Sequence, residues 1–125
     1  MTMLRTFLRA KIHRATVTAA DRDYEGSISI DRALCRAAAL AEFEQVDIYD
    51  ITNGTRFTTY VIFGAPGQIQ INGAAALLAR PADLVIVVAY AALAPEEVAQ
   101  HRATIVQVDE KNRVVATRLA AVTAP

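Results

Sequence analysis

Two short segments carry the groups from which chemistry could be built. They are Tyr24-Glu25-Gly26-Ser27 and Arg56-Phe57-Thr58-Thr59-Tyr60. Glycine has no Cβ, so the Gly26 carbonyl is open to approach, and glycine tolerates strained backbone angles. The Ser27 hydroxyl lies one residue along and can attack that carbonyl, replacing the amide by an ester. Elimination and hydrolysis would then leave a pyruvoyl group at a new N-terminus. A glycine–serine pair is equally an ordinary turn, so the pair alone does not decide. The usual constellations are otherwise missing: the sequence has no CxxC, HExxH, GxGxxG or GxxxxGK[ST]. His13, His101 and Cys35 are too few for a metal site of several His and Cys. No sequence context supports a Ser-His-Asp triad.

The elements that must hold these groups are short and mostly strands. Residues 4–18 alternate, with Leu8, Ala10 and Ile12 on one side and Arg9, Lys11 and His13 on the other. The phase changes near Arg14, and we expect a long or bent edge strand. Residues 27–30 alternate as a strand, and Asp31 is a good N-cap for a helix through about Leu40. A strand over 45–51, then Asn53-Gly54, then a strand over 56–63 predicts a hairpin with positive φ at both central residues. Residues 68–71 form a strand, and Asn72-Gly73 opens an Ala-rich helical turn through about Ala79. Residues 84–90 are a continuous apolar run, as in a strand buried on both faces. Pro95-Glu96-Glu97 starts a short helix. A final hairpin over 105–108 and 113–117 leaves 120–125 as a loose tail. Many short strands with a few small helices imply a β-barrel.

The chain of 125 residues fits one domain over 1–125. Apolar residues make up 54% of it, enough for a globular core. Thirteen basic residues balance 13 acidic ones, so there is no basic excess for binding nucleic acid. The longest apolar stretch, 84–94, is too short to span a bilayer, so no membrane is expected. One cysteine excludes a disulfide scaffold and suits a reducing, cytoplasmic setting. Residues 1–18 hold four basic residues and no acid, a weak transit-peptide look that the alternation opposes. Met1 and Met3 are both candidate starts.

From Leu4 to about Ala116 the chain resembles the bacterial pyruvoyl-dependent aspartate 1-decarboxylases of pantothenate biosynthesis. The resemblance rests on Leu4-Arg5-Thr6, Lys11-Ile12-His13-Arg14-Ala15-Thr16-Val17-Thr18, Tyr24-Glu25-Gly26-Ser27-Ile28-Ser29-Ile30-Asp31, Thr52-Asn53-Gly54-Thr55-Arg56-Phe57-Thr58-Thr59-Tyr60 and Ile71-Asn72-Gly73-Ala74-Ala75-Ala76. The motifs stand in order and at the family's spacing. The family has Gly-Asp before the buried strand, where this chain has Ala82-Asp83, which puts that turn's geometry in question.

The resemblance implies a six-stranded double-psi β-barrel assembled as a homotetramer. It implies cleavage between Gly26 and Ser27, giving a β chain 1–26 and an α chain 27–125. Ser27 would become a covalent pyruvoyl group, with no metal and no pyridoxal phosphate. L-aspartate would be decarboxylated to β-alanine and CO2 through a Schiff base. Arg56 would bind the retained carboxylate bidentately, with Lys11 sharing that charge role. Tyr60 would return a proton. Thr59 would reach the substrate and the cleavage site, although strand alternation points it away from Arg56, Thr58 and Tyr60; a bulge or strong twist must reconcile the two. Asn72, Gly73, Ala74 and Ala75 would bind substrate through approachable backbone N–H groups, and His13 and Tyr24 would line the cleft. An accessory protein for maturation is left open. Two other readings stay open: a non-catalytic double-psi barrel for binding or assembly, and a pyruvoyl decarboxylase of another amino acid.

Overall fold

The structure, a computed structural model, describes residues 2–125; Met1 lies outside the described residues. In chain order the elements are β1 (Arg5–Thr16), β2 (Ala19–Asp21), β3 (Ser27–Asp31), α1 (Arg32–Ala38), β4 (Gln45–Asp50), β5 (Arg56–Gly64), β6 (Ile69–Asn72), a 3-10 helix (Gly73–Leu77), β7 (Leu84–Leu93), α2 (Pro95–Val98), β8 (Arg102–Val108) and β9 (Val114–Ala121). The protein is mainly β, as expected. The strands form one curled, barrel-like sheet in the order β2-β6-β3-β5-β4-β7-β1-β8-β9, which does not close. The count is therefore nine rather than six, because the three-residue β2 and the last hairpin also join the sheet. None of the helices over the described residues is long and apolar enough to cross a membrane.

The bend in β1 lies where the alternation changes phase. Arg14 has φ of 65°, and the register against β7 slips between Ile12 and Ala15, both of which stay buried. One extra residue in the strand turns every later side chain to the other face. The strand is not an edge, however. It pairs antiparallel with β7 and parallel with β8. Its outward Arg, Lys and His residues look like an edge signature but mark only one wet face.

Inward residues of most strands meet in one core, led by Ile12, Ile28, Ile30, Ile48, Ile69, Ile71, Val61, Val85 and Val87. Helix α1 closes one end of it with Leu34 and Cys35. Asp31 caps it by accepting from the Ala33 N–H at 2.8 Å. The helix stops at Ala38, short of Leu40, because Ala39 turns into the left-handed region at φ 55°. The 3-10 helix likewise ends at Leu77 rather than Ala79. β8 begins at Arg102, earlier than expected. β9 runs to Ala121, so the loose tail is shorter than 120–125. That strand is exposed along nearly its whole length, so no apolar alternation announces it.

The β4–β5 connection differs in kind from the expected two-residue hairpin. Five residues, 51–55, separate the strands, and only Gly54 has positive φ, at 78°. Asp50 organises the turn: its Oδ1 accepts from the Thr52 and Asn53 N–H groups at 2.9 and 3.2 Å. Asp50 is buried beside Asp83, and its Oδ2 has no hydrogen-bond partner. Burial, and then the neighbouring Asp83 carboxyl, raise the Asp50 pKa. Just before Asp83, Ala82 sits at φ 77° and donates its N–H to Val17 at 2.8 Å. The turn thus keeps a left-handed geometry that suits glycine, with alanine in its place.

Candidate active site

The Gly26–Ser27 bond lies where the chain passes from surface to interior. Gly26 is exposed, and Ser27 opens β3 with 1% exposure. Ser27 pairs with Asn72 across the antiparallel β3–β6 ladder. The Asn72 Nδ2 donates to Ser27 Oγ and to Ser29 Oγ, each at 3.1 Å. The Ser27 hydroxyl in turn donates to the Glu25 carbonyl at 2.9 Å. The nucleophile candidate is thus desolvated, and its oxygen accepts from an amide.

Gly73 follows Asn72 at φ 75°, and its missing side chain creates the contact that defines the site. A Cβ there would lie 2.5 Å from Gly26 Cα and 2.9 Å from Gly26 N. The backbone of 24–26 rests directly on Gly73. By contrast, a Cβ on Gly26 would meet nothing within 4 Å, and Gly26 has no positive φ. The requirement for glycine expected at the scissile residue therefore falls on its neighbour across the fold. Ala74 and Ala75 continue the 3-10 helix from this point, Ala74 exposed and Ala75 half-buried.

Tyr60 precedes Val61, which pairs with Ile28 in the parallel β3–β5 ladder, so Tyr60 stands level with Ser27. Its ring lies edge-on to Phe43 at 6.2 Å, and with Thr58, Thr59 and Gln45 these residues line a shallow groove. The β4–β5 register is unbroken from Arg56 to Tyr60. Thr59 therefore faces opposite to Arg56 and Tyr60, and no bulge turns it. Tyr24 is exposed beside the junction, and its carbonyl lies 3.4 Å from the position of a Gly73 Cβ.

Arg56, Lys11 and His13 make no hydrogen bond to Ser27, whose partners are Glu25 and Asn72. Four residues of strand, about 13 Å, separate Arg56 from Tyr60. The Arg56 guanidinium lies over the Tyr49 ring at 4.3 Å, and Tyr49 shares a 2.7 Å hydrogen bond with Tyr90. That hydrogen bond, aided by burial, pushes the Tyr49 phenol up to about 12. Lys11 lies on the outward face of β1, across β7 from Asp47, which accepts from Thr58 at 2.6 Å. His13 lines a different recess, with Thr16, Gln107 and Asp109. Burial, with Lys11 and Arg14 nearby, lowers its pKa and favours the neutral ring. His101 anchors β1 through a 2.7 Å hydrogen bond between its Nε2 and the Leu8 carbonyl oxygen. Cys35 is a packed core residue whose thiol burial pushes up to about 11. Among the described residues no group of three or more His, Cys, Asp or Glu could hold a metal.

Sequence reasoning passed over Tyr49, Tyr90, Gln68 and Gln70. The glutamines carried a readable signal: Gln68, Gln70 and Asn72 alternate with Ile69 and Ile71, placing three amides on one face of β6.

Fold and site together define a mainly β, barrel-like protein with a buried serine hydroxyl opening a core strand. The profile of the aspartate decarboxylase family matches residues 3–115. Proteins named aspartate 1-decarboxylase are similar to the chain over most of their length. The one from Hydrogenobaculum sp. is 54% identical over 113 residues, covering 90% of this chain and 90% of the relative. That from Corynebacterium efficiens is 55% identical over 116 residues, covering 91% and 85%. That from Caulobacter vibrioides is 54% identical over 114 residues, covering 90% and 97%. The chain belongs to the aspartate decarboxylase family.

Proposed function

We propose that this chain is an aspartate 1-decarboxylase that makes its own prosthetic group by cutting itself between Gly26 and Ser27. The reaction converts L-aspartate to β-alanine and CO2 and serves pantothenate biosynthesis. The activity follows from family membership at this level of identity. The observation that supports self-cleavage is the buried Ser27 hydroxyl, which accepts from Asn72 next to a Gly26 backbone pressed on Gly73.

Ser27 Oγ bonds to the Gly26 carbonyl carbon, the C–N bond breaks, and the hydroxyl proton passes to the freed nitrogen. Loss of the Ser27 α-proton then expels the Gly26 carboxylate. One water is consumed and ammonia leaves, so residue 27 ends as a pyruvoyl group and Gly26 as a free carboxylate. The site fits such a group, because the cradle at Gly73 leaves no room for a side chain and Asn72 presents N–H donors where the Ser27 oxygen stood. When formed, the group withdraws the electrons released as CO2 departs.

Other side chains bind and deliver protons. Tyr60, level with Ser27, is the proton donor to the former α-carbon. Asn72, Gly73, Ala74 and Ala75 border the substrate, with Thr59 and Tyr24 beside the junction. Arg56, steadied on Tyr49, and Lys11 hold the retained carboxylate. Neither hydrogen-bonds to Ser27, and the proposed assembly is a homotetramer. His13 is a further cleft residue.

Intact mass spectrometry of the purified protein tests the reading. Chains 1–26 and 27–125 are expected, the second beginning with a carbonyl-reactive group, together with β-alanine formation from aspartate. The Ser27→Ala variant should remain a single chain and inactive. Persistent uncut wild-type protein without decarboxylation would overturn the proposal.

A further inference from the structure

We propose that Gln70 is a positioning residue for the Ser27 nucleophile, fixing which end of the Asn72 amide faces it through a line of side-chain amides rooted at the Ala65 N–H. This inference rests on the self-cleavage proposed above. Gln70 and Asn72 lie on the polar face of β6, while Ile69 and Ile71 fill the core. Each amide could bond either way round, so something must set the direction of the line.

The root sets it. A backbone N–H can only donate, and that of Ala65 donates to Gln68 Oε1 at 2.8 Å. Gln68 must then present nitrogen, and its Nε2 donates to Gln70 Oε1 at 3.1 Å. Gln70 Nε2 donates to Asn72 Oδ1 at 2.8 Å. The Asn72 nitrogen is left facing the two serines, and its two protons go to Ser27 Oγ and Ser29 Oγ. In the reversed line, the Gln68 amide nitrogen would meet the Ala65 N–H, donor against donor. Gly64 keeps the root open, since a Cβ there would lie 2.6 Å from Gln68 Oε1.

The direction matters to the chemistry. Ser27 must shed its proton as Oγ bonds to the Gly26 carbonyl carbon. An N–H aimed at Oγ favours the charge that builds there. A reversed Asn72 would turn its carbonyl oxygen toward Ser27, and Oγ would lose that N–H donor.

The test replaces Gln70 by Glu, which keeps the shape. As a carboxylate, residue 70 can only accept, so Asn72 turns its nitrogen toward it and its oxygen toward Ser27. Freshly purified Gln70→Glu precursor should cut itself roughly 10- to 100-fold more slowly than wild type at neutral pH, followed by intact mass. As pH falls through the carboxylic-acid range, near about 4.3 for an ordinary Glu, the protonated acid donates again and the ratio to wild type should approach one. Gln70→Leu should be slow at every pH, as should Gly64→Ala, which displaces Gln68. Thermal melts confirm that each variant is folded. Wild-type-like cutting by Gln70→Glu, or a deficit independent of pH, overturns the positioning role alone. Failure of the wild type to cut itself overturns the self-cleavage reading, and this inference with it.

Discussion

Gly73→Ala is the sharpest perturbation the site offers. The added Cβ would fall 2.5 Å from Gly26 Cα, where carbon atoms normally settle about 3.5–4.0 Å apart. Something must move by about 1 Å. Gly73 cannot easily give, because Asn72 before it is buried and hydrogen-bonded on both sides. Gly26 can, because the space around it is open. The strain is therefore relieved by swinging the scissile peptide off its seat. Alanine at φ 75° costs a further 1–2 kcal/mol or so, as L residues resist the left-handed region. That loss is bearable for a domain stable by about 5–15 kcal/mol. A 1 Å misplacement of reacting atoms can cost on the order of 100-fold in rate. We expect a folded protein, melting about 5–10 °C lower, that cuts itself on the order of 100-fold more slowly. A time course of intact mass and a thermal melt on the same sample measure both. Wild-type cutting at an unchanged melting temperature would refute the reasoning.

Ala82→Gly should stabilise the protein by about 1 kcal/mol, because it relieves a left-handed alanine at φ 77°; the melting temperature should rise by about 3–5 °C. Asp50→Asn should act through pH. The raised Asp50 pKa means that the folded chain holds the Asp50 proton more tightly than the unfolded one, so wild-type stability falls as pH rises above 3.8 and through the raised value. Asparagine supplies a permanent donor to Asp83, so the variant should gain about 1–3 kcal/mol at pH 8 and little at pH 4, read from denaturant melts. Tyr60→Phe should leave self-cleavage intact and lower kcat for decarboxylation by about 100- to 10,000-fold. Cys35, buried with its thiol near 11, should resist alkylation until the protein unfolds, as a timed thiol titration would show.

Strand identity was legible wherever one face meets the core. The phase change at Arg14, the apolar run of β7 and the Asp31 cap are local signals with direct structural counterparts. The strand neighbours were not legible. Whether Lys11 and His13 lie on an edge depends on β8, which pairs with β1 from about 90 residues away along the chain. Asn53-Gly54 invited a two-residue turn, but Asp50 captured the Thr52 and Asn53 N–H groups and opened a longer loop. At the candidate site, the segments containing Ser27, Asn72 and Gly73 could be named from sequence. Their relation could not, because the Gly73–Gly26 contact and the amide line exist only once β6 lies beside β3.

The place of β1 has a consequence for what happens after the chain is cut. Fragment 1–26 would carry β1 and β2, and β1 is hydrogen-bonded along both sides by strands of the other fragment. It cannot peel away like an edge, so its departure requires tearing the middle of the sheet. Before cutting, an unfolded molecule can find its way back alone. Afterwards the two pieces diffuse apart, and recovery becomes a second-order encounter whose half-time lengthens on dilution. Persistence of the mature protein would then be governed by the barrier to losing that strand, and no longer by a reversible balance.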